Sequence, residues 1–309
     1  MRNAAWVMIP VLAVSAAFVR AAETGAAKKD LVKTESLASV SAIKPGEPFQ
    51  VGVRFKIEPK WHIYWINPGE SGQATNVKWT FPEGFKVSKL QYPVPVNFPQ
   101  PGDVKGYGYL DEVMLMATVT PPADLAVGTE VPYSVKADWL VCEEVCIPGK
   151  ASFEGKLKVA DSAAPANEEL FKEWTERLPR SNMTELKDLV VKTEAQHKDA
   201  DAGPVELAVQ WRDKPPADIE WFVGTPDSVL LKGLDATTDG SRSKLTFRPV
   251  PVPHEQVRVP VVVAYTDAAG KRQGVEFSFK LGKKPAAPKG QAARHLGSTH
   301  SDPIHPQSP

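Results

Sequence analysis

The strongest constraint on this chain is a period of two. Apolar residues alternate with polar ones in short runs, and proline and glycine break the runs at close intervals; the 309 residues include 29 Pro and 21 Gly. Phe49-Gln50-Val51-Gly52-Val53-Arg54-Phe55 alternates in this way, as do Trp61 to Trp65 and Val77 to Phe81. Val113–Val119, Tyr133–Val141 and Ala151–Val159 read as three further strands. Alternation places one set of side chains on a buried face and the other on a solvated one, which is the mark of a half-buried strand. Turn residues such as Pro45-Gly46, Pro82-Glu83-Gly84, Pro121-Pro122 and Gly128 punctuate the runs. Many short strands with Gly/Pro turns predict a mainly β fold, and the spacing is that of an immunoglobulin-like β-sandwich.

A second block of the same kind runs from about Leu186 to Leu281. It contains Val205–Trp211, Ile219–Val223, Lys244–Phe247 and a hairpin of Val259–Thr266 with Val275–Leu281. The expected architecture is two immunoglobulin-like β-sandwich domains, 30–160 and 184–282, joined by a linker and one short helix at 161–183. Asn167 is the expected helix cap, Glu168 and Glu169 suit the positive end, and Pro179 is the stop. Leu170, Phe171, Trp174 and Leu178 fall on one face, which must pack at the joint between the domains.

The two ends read differently. Arg2, an apolar run of 16 residues from Ala4 to Val19, and Arg20-Ala21-Ala22 form the pattern of a cleaved secretory signal peptide over 1–22. A membrane anchor needs about 20 apolar residues. Export implies a periplasmic, oxidising compartment, where a lone cysteine pair is usually a disulfide. Residues 283–309 hold five prolines and no aromatic residue, and are expected to be a disordered tail. His295, His300 and His305 recur there every five residues; a biased, solvated tail is preferred to a metal-binding one, since nothing holds the rings in one geometry. His197 and His254 are isolated, so the second block shows no chemistry of its own. Equal numbers of basic and acidic residues, 37 each, leave no electrostatic footprint for nucleic acid.

The chemistry lies in Cys142-Glu143-Glu144-Val145-Cys146, at the end of one predicted strand and before the turn Ile147-Pro148-Gly149. Two cysteines do not close a zinc or copper site, and no Cys-x-x-Cys pair is present, so no metal and no cofactor are expected. A structural staple between sheets would join residues far apart in sequence. A five-residue loop returns only about 2 kcal/mol in the chain-entropy account of disulfides. The spacing therefore favours redox exchange over a structural bridge without excluding the latter. Glu143 and Glu144 disfavour a thiolate, which points to an ordinary or reducing couple. No Trp-Cys-Gly-x-Cys motif marks a thioredoxin fold.

Four segments then occur in order: Trp61-His62-Ile63-Tyr64-Trp65-Ile66-Asn67-Pro68-Gly69-Glu70-Ser71-Gly72, Tyr92-Pro93-Val94-Pro95, Gly106-Tyr107-Gly108-Tyr109, and Asp138 to Pro148 around the cysteines. Together they resemble the N-terminal periplasmic domain of DsbD-type thiol:disulfide interchange proteins, in particular the ScsB-like subgroup with its Cys-x-x-x-Cys-Ile-Pro turn. The resemblance implies an immunoglobulin-like domain that takes reducing equivalents from a membrane domain, through a thioredoxin-like domain, and passes them to oxidised periplasmic partners. Cys142 and Cys146 match the redox pair. The family shields its pair with an aromatic residue on a cap loop; Phe98 is the candidate by position, with Tyr107 and Tyr109 as alternatives. His62 and Tyr64 share a strand face that can line the site, although a solvated or hydrogen-bonded role is the simpler reading. Trp61, Trp65, Trp79 and Trp139 read as core.

This chain departs from the pattern in two places. Classical DsbD domains place five residues between the cysteines, not three. The chain also ends in the polar tail rather than in membrane helices, so electrons are expected to arrive in trans, from a separate membrane donor or thioredoxin-like partner. The alternative to exchange is a non-catalytic binding module of the cell envelope with a structural disulfide.

Overall fold

The computed structural model describes residues 30–100, 104–181, 189–192, 204–224, 229–253 and 255–282. The signal-peptide and tail expectations, and all five histidines other than His62, lie outside these residues.

Twelve strands form the first half in chain order. They are β1 (Val32–Ala38), β2 (Val40–Ile43), β3 (Phe49–Ile57), β4 (His62–Gly69), β5 (Asn76–Thr80), β6 (Lys86–Val87), β7 (Val96–Gln100), β8 (Val104–Leu110), β9 (Glu112–Thr120), β10 (Glu130–Cys142), β11 (Cys146–Val159) and β12 (Ala164–Pro165). They make two sheets. One is ordered β1-β3-β9-β6; the other is ordered β12-β2-β11-β10-β4-β8-β7, with β5 also paired to β10. The inner faces meet in a core of Val51, Val53, Phe55, Ile63, Trp65, Trp79, Leu115 and Trp139, among others. The alternation predicted in β3 and β5 is seen in their burial. Val32 and Lys33 begin β1, which pairs with β3 along its whole length. One predicted feature differs. Phe98, expected on a loop, lies on β7, an edge strand paired with β8.

The helix α1 (Glu168–Glu176) buries Phe171 and Trp174 in the same core. Gln50 Nε2 on β3 donates to Thr175 Oγ1 at 3.2 Å, which ties the helix to the smaller sheet. Asn167 does not cap it as expected. Its backbone is left-handed at φ 50°, and its side chain donates to the Ala38 carbonyl instead. After the helix, Arg180 exchanges backbone hydrogen bonds with Gly274 and Glu276, so the helix body serves the first core and its exit joins the second half.

The second half holds β13 (Leu189–Lys192), β14 (Val205–Trp211), β15 (Ala217–Val223), β16 (Leu230–Asp239), β17 (Arg242–Val250), β18 (Val257–Thr266) and β19 (Arg272–Leu281). Its two sheets run β13-β14-β17-β16 and β15-β18-β19, around a core that includes Val209, Trp211, Phe247, Val261 and Val263. Alternation decides the division of labour in these strands. On β15, Trp221 and Val223 enter this second core, while Phe222, with Val262 and Ala264 of β18, enters the first. The two sandwiches therefore share a packed boundary rather than a solvated linker.

Candidate functional site

The cysteines close the long β10–β11 hairpin. Cys142 is the last residue of β10 and Cys146 the first of β11; they are register partners and form a disulfide with Cα atoms 4.2 Å apart. Only Glu143, Glu144 and Val145 lie between them, and the Glu143 amide donates to the Val145 carbonyl at 3.2 Å. The two sulfurs sit in unlike surroundings. Cys142 is 2% exposed, whereas Cys146, Glu144 and Val145 are exposed at the hairpin tip.

The buried side of the site follows from register. His62 of β4 is opposite Cys142 of β10, and Leu110 of β8 is opposite His62 on the other side. Directly opposed residues of antiparallel strands have Cβ atoms about 4.5–5.5 Å apart on one face. Residues two apart share that face, so Tyr64 and Leu140 join it. Across β8, Val96 and Phe98 of β7 are opposite Gly108 and Gly106. Tyr64, Phe98 and Cys142 make a small buried cluster, separate from the main core, with Val96 and Leu140 packed on it. The His62 and Phe98 ring centroids are 4.1 Å apart, and His62 Nε2 is 3.2 Å from the Tyr64 hydroxyl.

Glycines make the room. A Cβ on Gly106 would fall 2.3 Å from the Phe98 ring, and a Cβ on Gly108 would fall 2.0 Å from the Ile63 carbonyl. Gly72, at φ 113°, lies under the Tyr64 ring, where a Cβ would come within 2.4 Å. The turn Asn67 to Gly72 thus serves both shape and contact: Asn67 also donates from Nδ2 to the Val223 carbonyl of β15 and accepts from the Gly69 amide at 3.0 Å.

The structure brings His62, Tyr64 and Phe98 together with Cys142. Tyr107 and Tyr109, the alternative cap residues, point the other way. Tyr109 is buried in the main core and its hydroxyl donates to the Pro93 carbonyl at 2.9 Å; Tyr107 packs edge-to-face on Phe222 at 5.2 Å. They alternate with Gly106 and Gly108, so they belong to the opposite face of β8. His62 is 6% exposed rather than solvated, and burial pushes its pKa down to about 4, so the ring is neutral at neutral pH. Burial also raises the Tyr64 hydroxyl. Among the described residues, no group of three or more His, Cys, Asp or Glu side chains is placed to hold a metal ion.

Sequence reasoning alone missed Gly106, Gly108 and the links from the second sandwich. The signal for the glycines was present: two glycines at i and i+2 empty one face of a strand, which means that something else lies against it.

This geometry has relatives. Residues 28–158 match the family described as thiol:disulfide interchange protein DsbD, N-terminal. The chain carries a DsbD-type N-terminal domain. Thiol–disulfide interchange is the chemistry of that family, and the Cys142–Cys146 disulfide sits within the matched segment. The fold of both halves is similar to the crystal structure of the N-terminal periplasmic domain of ScsB from Proteus mirabilis. That match has a TM-score of 0.57 and 18% identity, covering 82% of this chain and 95% of that one. The N-terminal domain of Neisseria meningitidis DsbD in the reduced form also matches, at 18% identity and a TM-score of 0.24, over 42% of this chain and 89% of that one. No curated protein matches the sequence.

Proposed function

We propose that the protein is a periplasmic thiol–disulfide exchange protein that passes reducing equivalents to partner disulfides through Cys142 and Cys146. The observation that carries this reading is the asymmetry of the pair: one sulfur buried in an aromatic cluster, the other presented at a hairpin tip. Exchange needs one sulfur open to in-line attack and a second that departs and later returns. A thiolate of a thioredoxin-like donor attacks Cys146 Sγ. The Cys142–Cys146 bond breaks, its electron pair passes to Cys142 Sγ, and that sulfur takes a proton from solvent. The donor's second thiol then attacks the mixed disulfide, releasing Cys146 as a thiol and leaving the donor oxidised. The same steps in reverse reduce an oxidised partner.

A structural reading is weaker on this geometry. β10 and β11 are already held by 13 register pairs, from Glu130 with Lys158 to Cys142 with Cys146. A bond at the tip of so long a hairpin restricts little further. Phe98, with His62 and Tyr64, covers Cys142, the departing sulfur, so that a thiol attacking Cys146 displaces it slowly while the ring is in place. His62 brings no positive charge near Cys142 above a pH of about 4, and Glu143 and Glu144 oppose a thiolate. The couple is accordingly reducing or ordinary rather than strongly oxidising.

The test is a trapping experiment with a thioredoxin-like protein. Cys142→Ser keeps the exposed sulfur; its Cys146 thiolate attacks the activated aromatic disulfide on a thioredoxin-like protein whose second cysteine is replaced by serine, expels the aromatic thiol and accumulates a mixed disulfide through Cys146. Cys146→Ser traps nothing, and both variants lose turnover. Turnover at the unaltered rate in either variant contradicts the reading.

A further inference from the structure

The strand that carries Phe98 is held from outside its own sandwich. The segment Tyr92-Pro93-Val94-Pro95 leads directly into β7, and its carbonyls and amides are tied on several sides. The Pro93 carbonyl accepts from Tyr109 of β8, and the Val94 amide donates to the Arg177 carbonyl at the end of α1 at 2.9 Å. The Pro95 carbonyl accepts from Arg272 Nη2 of β19 at 2.7 Å. The same nitrogen lies 2.6 Å from Glu220 Oε2 of β15, which orients the guanidinium, and both side chains are only 31% exposed. Beside it, Val94 lies over Gly274, where a Cβ would come within 2.4 Å of the valine. Pro95 is three residues from Phe98, and β7 is an edge strand with β8 as its one neighbour. An edge strand paired on one side is the part of a sheet that opens most easily.

We infer that Arg272, with Glu220 and Gly274, is a positioning site by which the second sandwich fixes the base of β7 and so sets how often Phe98 uncovers Cys142, the sulfur that departs when the disulfide is attacked at Cys146. A guanidinium held between a carboxylate and a backbone carbonyl is a directional clamp. Loosening it frees Pro95 and lets β7 move as an arm about β8. The second sandwich, which shows no chemistry of its own in sequence, then acts on the reaction through access.

The inference rests on the exchange reading only in giving the uncovering a purpose; the uncovering itself is measured with a small thiol. The experiment is the pseudo-first-order reduction of the oxidised full chain by dithiothreitol at fixed pH, followed by thiol trapping. A dithiothreitol thiolate attacks the protein disulfide, and its second thiol closes the six-membered ring, leaving two protein thiols. Phe98→Ala gives the rate of the uncovered site. Arg272→Met is expected to raise the rate at least threefold, Arg272→Lys to restore part of the protection, and Gly274→Ala, which displaces Val94 without touching charge, to raise it as well. The decisive variant is Phe98→Ala with Arg272→Met. If Arg272 acts through Phe98, the pair reacts no faster than Phe98→Ala alone. A rate unchanged by both Arg272→Met and Gly274→Ala overturns the inference, as does full multiplication of the two effects in the double variant, which marks general loosening. A protein that shows the expected pattern with dithiothreitol but never exchanges with a thioredoxin-like protein keeps this inference and loses the exchange reading.

Discussion

At the scale of single residues, His62 separates chemistry from packing. It faces Cys142, but its burial among Tyr64 and Phe98 keeps it neutral, so it fills space and holds the Tyr64 hydroxyl rather than charging the site. A histidine whose folded pKa lies below its unfolded value of about 6.5 stabilises the fold above that value and loses the contribution as pH falls from there. With a folded value of about 4, the loss runs from pH 6.5 to about 4 and amounts to about 3 kcal/mol at most. Denaturant midpoints measured across that range should fall for the unaltered protein and fall less for His62→Gln. Parallel curves would show that the ring takes up its proton as freely folded as unfolded. The sequence placed His62 and Tyr64 on one strand face, because alternation is a local property. It did not say which partner lay across the sheet, since that depends on the pairing of β4 with β10, whose residues are some 80 positions away.

At the scale of elements, the glycines of β8 seat the side chains of β7. Gly106 leaves the space that the Phe98 ring and the Gln100 side chain occupy. Gly106→Ala should therefore push Phe98 off its seat, cost about 1–3 kcal/mol by overpacking, and speed reduction of the disulfide. Equilibrium unfolding together with the dithiothreitol rate checks both; a destabilised variant that is reduced at the original rate would contradict the role given to the ring. The long strands were legible in the sequence: β3, β10 and β19 announce themselves by alternation, and β9 and β18 by apolar runs bounded by turn residues. The short ones were not. β6 and β12 have two residues each, too few for any period to show. Phe98 could be named as the candidate cap, but Val96-Asn97-Phe98-Pro99-Gln100 contains a proline and reads as a loop; β7 tolerates Pro99 because it lies at the edge of its sheet. Asn167 misled for a related reason: its side chain had a better acceptor, the Ala38 carbonyl, that only the fold supplies.

At the scale of the whole molecule, the two sandwiches are coupled by apolar packing as well as by Arg272. Phe222 belongs to the first core although it lies on a strand of the second, and it meets Trp65 and Tyr107 edge-on at 6.1 and 5.2 Å. Burial shared in this way makes the halves unfold together. Calorimetry should give one transition, and Phe222→Ala should cost about 3–5 kcal/mol and divide it; two well-separated transitions in the unaltered protein would mean that the shared core carries no coupling. The reduction potential is also a property of the whole molecule, because it compares the folded stability of the oxidised and reduced forms. Equilibration of the Cys142–Cys146 pair against glutathione and dithiothreitol buffers, with thiol trapping, measures it directly. An exchange protein of this kind should poise the pair between about −200 and −270 mV. A pair that stays oxidised below about −300 mV would be a structural bridge, and the exchange reading would fall with it.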